Sequence, residues 1–323
     1  MKATLKIIAV ICLVLAMSLP LAACKNNDPK PSPTAPTETT TPSPSSTTET
    51  ISSATTVKDK TVEKGRTLQV NATLSVTGEL TVLGEVKLGA NGKIVGVIKD
   101  GDGNYLAYTY SHLKTYLDRL TMGETIILMN DLDDGGIYVE SGRNAVIDFN
   151  GHTYTINGDL VGEYATKTDG IIISPDSSVT LKNGVLKQGV FGAQTLIRNY
   201  GNLTLDGVTV DGRDVTDGTA SVRYAIAHDY GKITIKNNSS VYVESDRTAI
   251  DITYGSNVAY DKGLELVIEK DAGTIAGIIS YSKASRVNNE NWKDLAKLQL
   301  AGGTYSNYPD KSLTEIYTTI TGN

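Results

Sequence analysis

Cysteine is nearly absent from this chain, and neither cysteine lies beyond residue 24. Cys12 falls within an apolar N-terminal stretch and Cys24 closes it, so residues 25–323 contain no thiol. This absence excludes disulfides, cysteine-ligated zinc and a cysteine nucleophile from that part of the chain. We therefore expect a fold that is held together without covalent cross-links.

Proline and the bulkiest aromatic residues are scarce as well. Six of the nine prolines lie in residues 25–56, and only Pro175 and Pro309 follow them. The chain has one tryptophan and two phenylalanines. So little proline suits β-strands, because each ladder needs its backbone N–H groups. The net charge of −6 comes without a basic stripe, so we expect no nucleic-acid partner.

The first 23 residues have the features of a secretion signal. Lys2 and Lys6 give a basic start, and residues 7–17 form an apolar core. The stretch ends Leu-Ala-Ala-Cys24, which resembles a bacterial lipobox. The resemblance implies that Cys24 becomes the lipid-modified first residue of a protein anchored to the outer face of a bacterial membrane, at the cell surface. The alternative is an ordinary signal peptide that happens to carry a cysteine.

Two segments precede the main repeat. Residues 24–56 are rich in proline, threonine and serine, which predicts a disordered stalk. Residues 57–104 repeat an aliphatic pair every six residues, which predicts a narrow β-solenoid or leading turns of the same fold, with a structural role. The period resembles that of bactofilin-like and hexapeptide solenoids in spacing only and leaves the handedness open. The pairs are Leu68/Val70, Leu74/Val76, Leu80/Val82 and Val86/Leu88, with Gly78, Gly84 and Ala90 at matching positions.

One helix is expected, over residues 111–120. Ser111 is the predicted N-terminal cap, and Leu113, Tyr116, Leu117 and Leu120 form one apolar stripe. A strand follows at once. We expect this helix to cover the open end of the repeats that come after it, because a first layer of strands would otherwise expose an apolar cross-section and a pairing edge.

Residues 136–243 contain one pattern four times. Each copy has a short aliphatic strand, a polar turn, a second strand, one Asn or Asp, and a third strand. Strands this short need stacked neighbours, so the pattern predicts parallel layers. The second strands should stack Val146, Val179, Leu203 and Ile233 in one interior row. The bend residues are Asn150, Asn183, Asp206 and Asn237, which tolerate a left-handed backbone and whose side chains should bond to the backbone of the next layer.

The recurring bend residue resembles the asparagine ladder of right-handed parallel β-helices of the pectate-lyase type. The resemblance covers roughly residues 105–310 and implies an all-β, right-handed parallel β-helix domain over residues 105–323. The alternative is an antiparallel sandwich, in which short strands and glycine-rich turns also recur.

Candidate binding residues follow from aligning the copies. Tyr200, Tyr230 and Tyr254 fall in one column, each followed by glycine. The functional interpretation is a stacked aromatic platform for sugars, and the alternative is a ladder that only covers turn backbone.

A second group is expected on the outward face of the first strands, beside a loop at residues 211–222. Its members are Arg223, His228, Asp229, Arg247 and Asp251. In polysaccharide-processing β-helices an arginine or lysine acts as base in lyases, and paired aspartates act as acid and base in hydrolases. The conserved motif series of pectate lyases and polygalacturonases does not occur here. The alternative is therefore a solvated ion ladder.

No cofactor is predicted. Residues 100–104 resemble the start of an EF-hand loop, but Tyr105 stands where glycine belongs and Ser111 where glutamate belongs. The stretch therefore favours a glycine-rich turn over a calcium site.

Three functions remain open. The first is a non-catalytic surface lipoprotein that binds a carbohydrate or a host or envelope ligand, and it is the one we favour. The second is a polysaccharide lyase or glycoside hydrolase with a divergent site at Arg223, Arg247 and Asp251. The third is a structural spacer of the cell envelope. The sequence does not indicate the ligand or the oligomeric state, because β-helices serve both binding and catalysis.

Overall fold

The computed structural model describes residues 47–120, 123–162, 166–190, 192–213, 222–255, 263–284, 287 and 296–305. All of them belong to one compact unit, Pro44–Asn323. Within these ranges the protein is all-β with a single helix. The predicted signal, Cys24 and most of the stalk lie outside the described residues, as do residues 214–221 of the predicted cleft loop.

The first region consists of strands that follow the six-residue repeat. Leu68 pairs with Val86, three repeats later, and Leu80 pairs with Ile98, all in parallel. Each six-residue repeat thus forms one side of a turn of the chain around the core. Three repeats make one full turn, which we call a round, and return the chain to the same sheet. The strands are β1 (Thr48–Ile51), β2 (Thr55–Val57), β3 (Lys60–Val62), β4 (Thr67–Val70), β5 (Thr73–Val82), β6 (Glu85–Leu88) and β7 (Lys93–Asp100).

Strand structure begins earlier than the sequence predicted. β1 and the first two residues of β2 lie inside the range 24–56 that was predicted to be a disordered stalk, and the two strands pair in parallel with β4 and β5. The prediction was wrong for these residues because they are mostly threonine, isoleucine and valine, which favour strands once a neighbour offers a ladder.

The helix α1 (Tyr110–Leu117) follows β8 (Tyr105–Ala107). The predicted apolar stripe is confirmed, since all four of its side chains are buried. The predicted cap is wrong: Thr109 is the N-cap, and its hydroxyl accepts a hydrogen bond from the His112 N–H at 3.3 Å. Thr109 has the extended backbone that an N-cap needs, whereas Ser111 is already helical.

The helix does not lie at a free end of the strands. The ring Nε2 of His112 lies 3.0 Å from the Ile94 carbonyl, and the Ile98 N–H donates to the Tyr116 hydroxyl at 3.0 Å. Both partners belong to β7, while Leu113 and Leu117 join the hydrophobic core of the second region. Because strands of the first region precede it, α1 joins two stacks of strands instead of covering the first one.

The parallel strands of the second region belong to two sheets. One sheet has six strands, which are β11 (Ile137–Val139), β14 (Asp169–Ile173), β16 (Thr195–Asn199), β18 (Tyr224–His228), β21 (Thr248–Tyr254) and β24 (Ile278–Lys283). We call it the first-strand sheet. The large sheet, which also holds strands of the first region, contains β9 (Thr125–Leu128), β10 (Leu132–Asp134), β12 (Asn144–Asp148), β13 (Thr153–Ile156), β15 (Ser178–Gln188), β17 (Asn202–Asp211), β19 (Gly231–Lys236), β20 (Ser240–Tyr242), β22 (Leu264–Ile268), β23 (Thr274–Ala276), β25 (Ala296–Leu300) and β26 (Thr304–Tyr305).

Strand pairing in residues 137–243 is parallel, as the repeat predicted. Among the named strands in the described ranges, the one antiparallel pair joins β7 to β8. The antiparallel sandwich is therefore excluded for the repeat. The long parallel sheets are compatible with a solenoid.

The interior row of the second strands is confirmed for three of its four predicted members. Val179, Leu203 and Ile233 register with one another. The prediction is wrong for Val146. Ala145 is the residue that pairs with Val179, whereas Val146 pairs with Thr180. Side chains alternate between the two faces of a strand, so an alignment error of one residue moves a side chain to the opposite face.

The bend after the second strand is left-handed in three predicted residues. Asn150, Asn183 and Asn237 have φ of 52°, 57° and 52°. Asp206 was predicted in the same column, but the left-handed residue there is Gly207, at φ 69°. Glycine adopts this conformation without steric cost, which frees Asp206 to remain in the strand.

The predicted bonds from bend side chains to the backbone of the next layer are wrong for Asn183 and Asn237, which bond to carboxylates of the preceding round. The Asn183 amide donates to both oxygens of Asp148, at 3.1 and 3.2 Å, and the Asn237 amide donates to Asp206. This hydrogen bond from Asn237 is the main cause that lowers the pKa of Asp206. Asn150 instead reaches the Leu128 carbonyl at 3.4 Å.

Within the described residues, the protein has no helix of the length and apolar character that crossing a bilayer requires.

Candidate functional site

The outward face of the first-strand sheet carries a charge cluster that the sequence analysis missed. Arg198 lies between two aspartates: its Nε donates to Asp169 at 3.1 Å and its Nη1 donates to Asp229 at 2.9 Å. Its Nη2 donates to the Thr195 hydroxyl at 3.2 Å. We call these four residues the Arg198 cluster. Its members come from β14, from β16 and from Asp229 directly after β18, and parallel registration brings them together from distant parts of the chain.

The Arg198 cluster is largely buried. The side chains of Asp169 and Asp229 are 5% and 8% exposed, and that of Arg198 is 25% exposed. Burial alone would lower the pKa of the Arg198 guanidinium, but its hydrogen bond to Asp169 and the charges of both aspartates raise it overall. The guanidinium is therefore permanently charged and cannot act as a base. Its role is to hold two carboxylates in place.

The predicted arginine and aspartate residues lie on the same sheet but make other contacts. Arg223 and Arg247 are neighbours, because the residues that follow them, Tyr224 and Thr248, pair. The Arg223 guanidinium lies over the Tyr224 ring at 5.3 Å, and Arg247 lies 3.7 Å from Asp246. The catalytic role proposed for this set stays a prediction.

Asp251 faces outward, in register with Ala227 and Ser280. Its two carboxylate oxygens accept hydrogen bonds from the hydroxyls of Ser280 and Thr253. Four residues of strand, or roughly 13 Å, separate it from Arg247 along the backbone. The carboxylate is therefore held by neighbouring hydroxyls, and the two arginines make their contacts elsewhere.

His228 was predicted on the outward face, and that prediction is wrong. The residue is fully buried and faces the interior, in register with Asn199 on one side and Ile252 on the other. It follows Ile226 by two residues, and Ile226 is part of the core, so strand alternation requires His228 to face inward as well. Asp229, the next residue, points outward into the Arg198 cluster.

The side chains of the buried pair Asn199 and His228 bond to each other and to nearby backbone groups. The Asn199 amide donates to His228 Nδ1 at 3.2 Å, so the proton of the neutral ring is on Nε2, which donates to the Glu265 carbonyl at 3.0 Å. Burial lowers the pKa of His228 to about 4, against an ordinary value of 6.5. The ring is therefore neutral near pH 7.

The three tyrosines do not form one exposed column. Tyr230 and Tyr254 each follow the paired residues His228 and Ile252 by two positions and so stand at matching places, Tyr230 in the bend after β18 and Tyr254 at the end of β21. Tyr200 follows Asn199, the partner of His228, by one position, and it is only 8% exposed. A ring buried to that degree cannot offer its face to a sugar, whereas Tyr230 is partly exposed.

Tyr230 lines a cleft of about 300 Å³ at the bend between the first-strand sheet and the second strands. We call it the bend cleft. Its polar lining residues are Asp176, Asn202, Tyr230, Lys232, Glu265 and Lys297. Four of these belong to one outward column, because Asn202 pairs with Lys232, Lys232 with Glu265, and Glu265 with Lys297.

Glycines leave space for the bend cleft. A Cβ on Gly231 would lie 2.0 Å from the Gly201 carbonyl oxygen, and Gly231 has φ of 81°. Gly201 and Gly231 both line the cleft. No side chain other than hydrogen fits between these layers, so the backbone itself forms the floor.

The charges of the bend cleft are partly paired. Lys232 Nζ lies 3.0 Å from Glu265 Oε1. Lys297 has no ion-pair partner in the part of the chain that the structure describes. The buried His228 lies beneath the cleft, since its Nε2 bonds to the carbonyl of Glu265. The cleft thus combines one aromatic ring, hydrogen-bonding groups and an available cation over a rigid floor.

Of the residues in the bend cleft and the Arg198 cluster, only Tyr230 and Asp229 were predicted from the sequence. Lys232 and Glu265 are 33 positions apart and Asp169 and Arg198 are 29 apart, so only the register shows that they meet. Asn199 had a usable signal: it stands in a strand position where the other copies have Ile173 and Ile252. A polar residue in an aliphatic row indicates a buried hydrogen-bonded site.

Metal binding has no support among the described residues, where no group of three or more His, Asp and Glu side chains converges. The EF-hand-like stretch is a turn in which Asp100 Oδ1 accepts hydrogen bonds from the N–H groups of Asp102 and Asn104, at 2.9 and 2.8 Å.

Neither a family model, nor a curated protein, nor a solved structure matches this chain.

Proposed function

We propose that the protein is a surface-anchored carbohydrate-binding module that binds a glycan in the bend cleft. The observation that carries the proposal is the cleft itself, where a partly exposed tyrosine lies beside one carboxamide and four charged side chains. Sites for small ligands are concave and combine apolar contact surface with a few placed polar groups.

The fold proposed for this module is a right-handed parallel β-helix. In-register parallel strands from three sheets, with left-handed Asn or Gly residues at a recurring bend, support it. Right-handed crossovers are the strong rule for parallel strands in one sheet, which favours that hand. An experimental structure that shows left-handed winding would contradict this part of the proposal.

Sugar chemistry fits the lining of the bend cleft. Hydroxyl groups can donate to Asp176 and Glu265 and accept from Lys232, while the C–H face of a sugar ring packs on Tyr230. Lys297, which lacks an ion-pair partner among the described residues, would attract a sugar carboxylate. We therefore expect acidic glycans to bind more tightly than neutral ones.

The first test is a glycan array followed by calorimetry with the chain 25–323, which lacks the predicted signal and Cys24. Tyr230→Ala should weaken binding about tenfold or more, and Lys297→Gln should weaken binding of acidic glycans only. Tyr138→Ala is the matched control, because Tyr138 is an exposed tyrosine, 43% accessible, that does not line the bend cleft.

Two results would contradict the proposal. One is glycan binding that Tyr138→Ala reduces and Tyr230→Ala does not. The other is release of unsaturated products or reducing ends from a polysaccharide, lost in Arg223→Ala or Asp251→Ala, which would establish the enzyme hypothesis instead.

The proposed anchor is the lipid on Cys24. Cells that express the full chain should incorporate labelled fatty acid into the protein and retain it in the membrane fraction. Cys24→Ala should abolish both. Membrane retention without label incorporation in the unaltered chain would argue against lipidation.

A further inference from the structure

The first three strands present an unusual set of residues to the interior. Among the described residues β1 pairs only with β4, and β2 and β3 pair only with β5. Paired residues of parallel strands point to the same side, so the partners of buried residues face the interior too. In this first round the inward positions are Glu49, Ile51, Thr55, Val57, Lys60 and Val62.

Two of these inward positions are charged. Glu49 lies next to Leu68 in the ladder, and Lys60 lies next to Leu80. The next round continues both rows with aliphatic residues, Val86 and Ile98. A charged residue in an aliphatic row is unfavourable unless it is paired or reaches water. The aliphatic residues of these rows are thus replaced by charged ones in the first layer of strands among the described residues.

Glu49 and Lys60 form an ion pair across the interior. Lys60 Nζ lies 2.7 Å from Glu49 Oε1 and 2.9 Å from Oε2. Glu49 belongs to the three-stranded sheet and Lys60 to the large sheet, so the pair joins two sheets over the aliphatic side chains below. The Lys60 side chain is 18% exposed and that of Glu49 is 58% exposed, which places the pair at the boundary between core and solvent.

We propose that this ion pair is a polar seal, which prevents a second copy of the chain from adding its strands to this end. Three edge strands above an apolar cross-section would be a template for another chain. A second copy stacked on β1, β2 and β3 would have to remove both charges from water, which is unfavourable even for a paired ion. The helix α1 cannot serve here, because it bonds to β7 on the far side of the first region.

The test removes both charges and measures self-association. The variant E49L/K60L of the chain 25–323 retains the whole compact unit Pro44–Asn323 and restores an aliphatic surface at this end. Sedimentation velocity over a hundredfold range of concentration should show dimers or larger species for this variant. Its apparent dissociation constant for self-association should be about tenfold or more below that of the unaltered chain.

A matched control exists in the same round of chain. Lys58 and Asp59 form an outward ion pair, with side chains 87% and 62% exposed. The variant K58L/D59L removes the same two charges without touching the interior, so it should associate no more than the unaltered chain. The charge swap E49K/K60E keeps a pair across the interior and should also leave association unchanged.

Cross-linking locates the contact. Residues 25–323 contain no cysteine, so Ser52→Cys, at an exposed position directly after β1, gives a single thiol. In the E49L/K60L background this thiol should form an intermolecular disulfide faster than in the unaltered background. Equal rates in both backgrounds would show that association, if any, uses another surface.

The proposal is overturned if E49L/K60L remains as monomeric as the unaltered chain while still unfolding cooperatively. It is also overturned if K58L/D59L associates to the same extent. Should E49L/K60L fail to fold, E49Q/K60M removes both charges and nearly keeps side-chain length, and unchanged association in that variant has the same meaning. This inference does not depend on ligand binding in the bend cleft.

Discussion

The two regions of the molecule place polar side chains inside their parallel strands in different ways. In the first region, β1–β7, the interior is aliphatic up to the outermost round, where Glu49 and Lys60 meet beside solvent. In the second region, β8–β26, the polar pair Asn199 and His228 lies in the middle of the stack and is fully buried. The comparison contrasts a charged pair that reaches water at the end of a stack with a neutral, hydrogen-bonded pair in the middle of one.

Loss of interior volume should have the largest effect, and it tests whether the two regions are energetically linked. Leu74→Ala in the first region and Leu205→Ala in the second should each lower the free energy of unfolding by about 2–5 kcal/mol, since both side chains are fully buried. Because α1 bonds β7 to the second core, we expect one cooperative transition in each variant. Two separate calorimetric transitions would show that the regions unfold independently.

Removal of Arg198 should be the next largest change. Arg198→Met leaves two largely buried carboxylates without their cation, so the free energy of unfolding should fall by about 3 kcal/mol in chemical denaturation. Lys182→Met is the control, because Lys182 lies 3.4 Å from Asp148 on a more exposed face and should cost about 1 kcal/mol or less. Equal losses in both variants would show that burial of the Arg198 cluster does not matter.

Acid should destabilise the protein through His228. Its pKa is about 4 in the folded state and 6.5 ordinarily, so the unfolded state binds the proton more tightly. The stabilisation is complete above pH 6.5 and is lost as the pH falls through 4, by about 3 kcal/mol at most. Between pH 7 and pH 4, His228→Gln should therefore lose less stability than the unaltered chain does.

His112 sharpens this prediction. Burial also lowers its pKa, and it bonds to the first region through Ile94. We expect His112→Gln to reduce the acid dependence in the same direction but by less than His228→Gln. The opposite order, measured by urea unfolding at several pH values, would place the main acid-sensitive group in the joint between the regions.

The bend residues should give the smallest effect. Asn183→Gly keeps the left-handed backbone and loses the hydrogen bonds to Asp148, whereas Asn183→Ala also introduces steric strain. We expect losses of about 0.5–1.5 kcal/mol for glycine and about 1–2 kcal/mol more for alanine. Thermal unfolding that ranks glycine below alanine would mean that the left-handed strain of alanine costs less than the extra backbone entropy of glycine in the unfolded state.

Much of the fold could be predicted because its signals are local. The six-residue pairs Leu68/Val70 and Leu80/Val82 predicted the parallel ladders of the first region, and the recurring Asn183 and Asn237 predicted left-handed bends. Errors arose where an alignment was off by one residue. Val146 was predicted in the interior row where the structure has Ala145, and Asp206 was predicted at the left-handed bend where the structure has Gly207. Several registers satisfy the same pattern of aliphatic residues, so the pattern does not choose between them.

The candidate site could be predicted only in part. Tyr230 was found because it recurs beside a glycine, but Lys232, Glu265 and Lys297 carry no local signal and come together only when three strands pair in register. His228 was placed on the wrong face for a related reason. Its inward orientation follows from the strand register and from the presence of Asn199 as a buried partner.

The sequence by itself determined that this chain stacks short parallel strands without disulfides, because aliphatic periodicity and bend residues are properties of neighbouring positions. Tertiary structure alone decided which distant side chains meet: Arg198 with Asp169 and Asp229, Lys232 with Glu265, and Glu49 with Lys60 across the first round. The physical reason is that a parallel ladder joins residues a full round of chain apart. The length of each round is set by loops, whose contribution the sequence pattern does not encode.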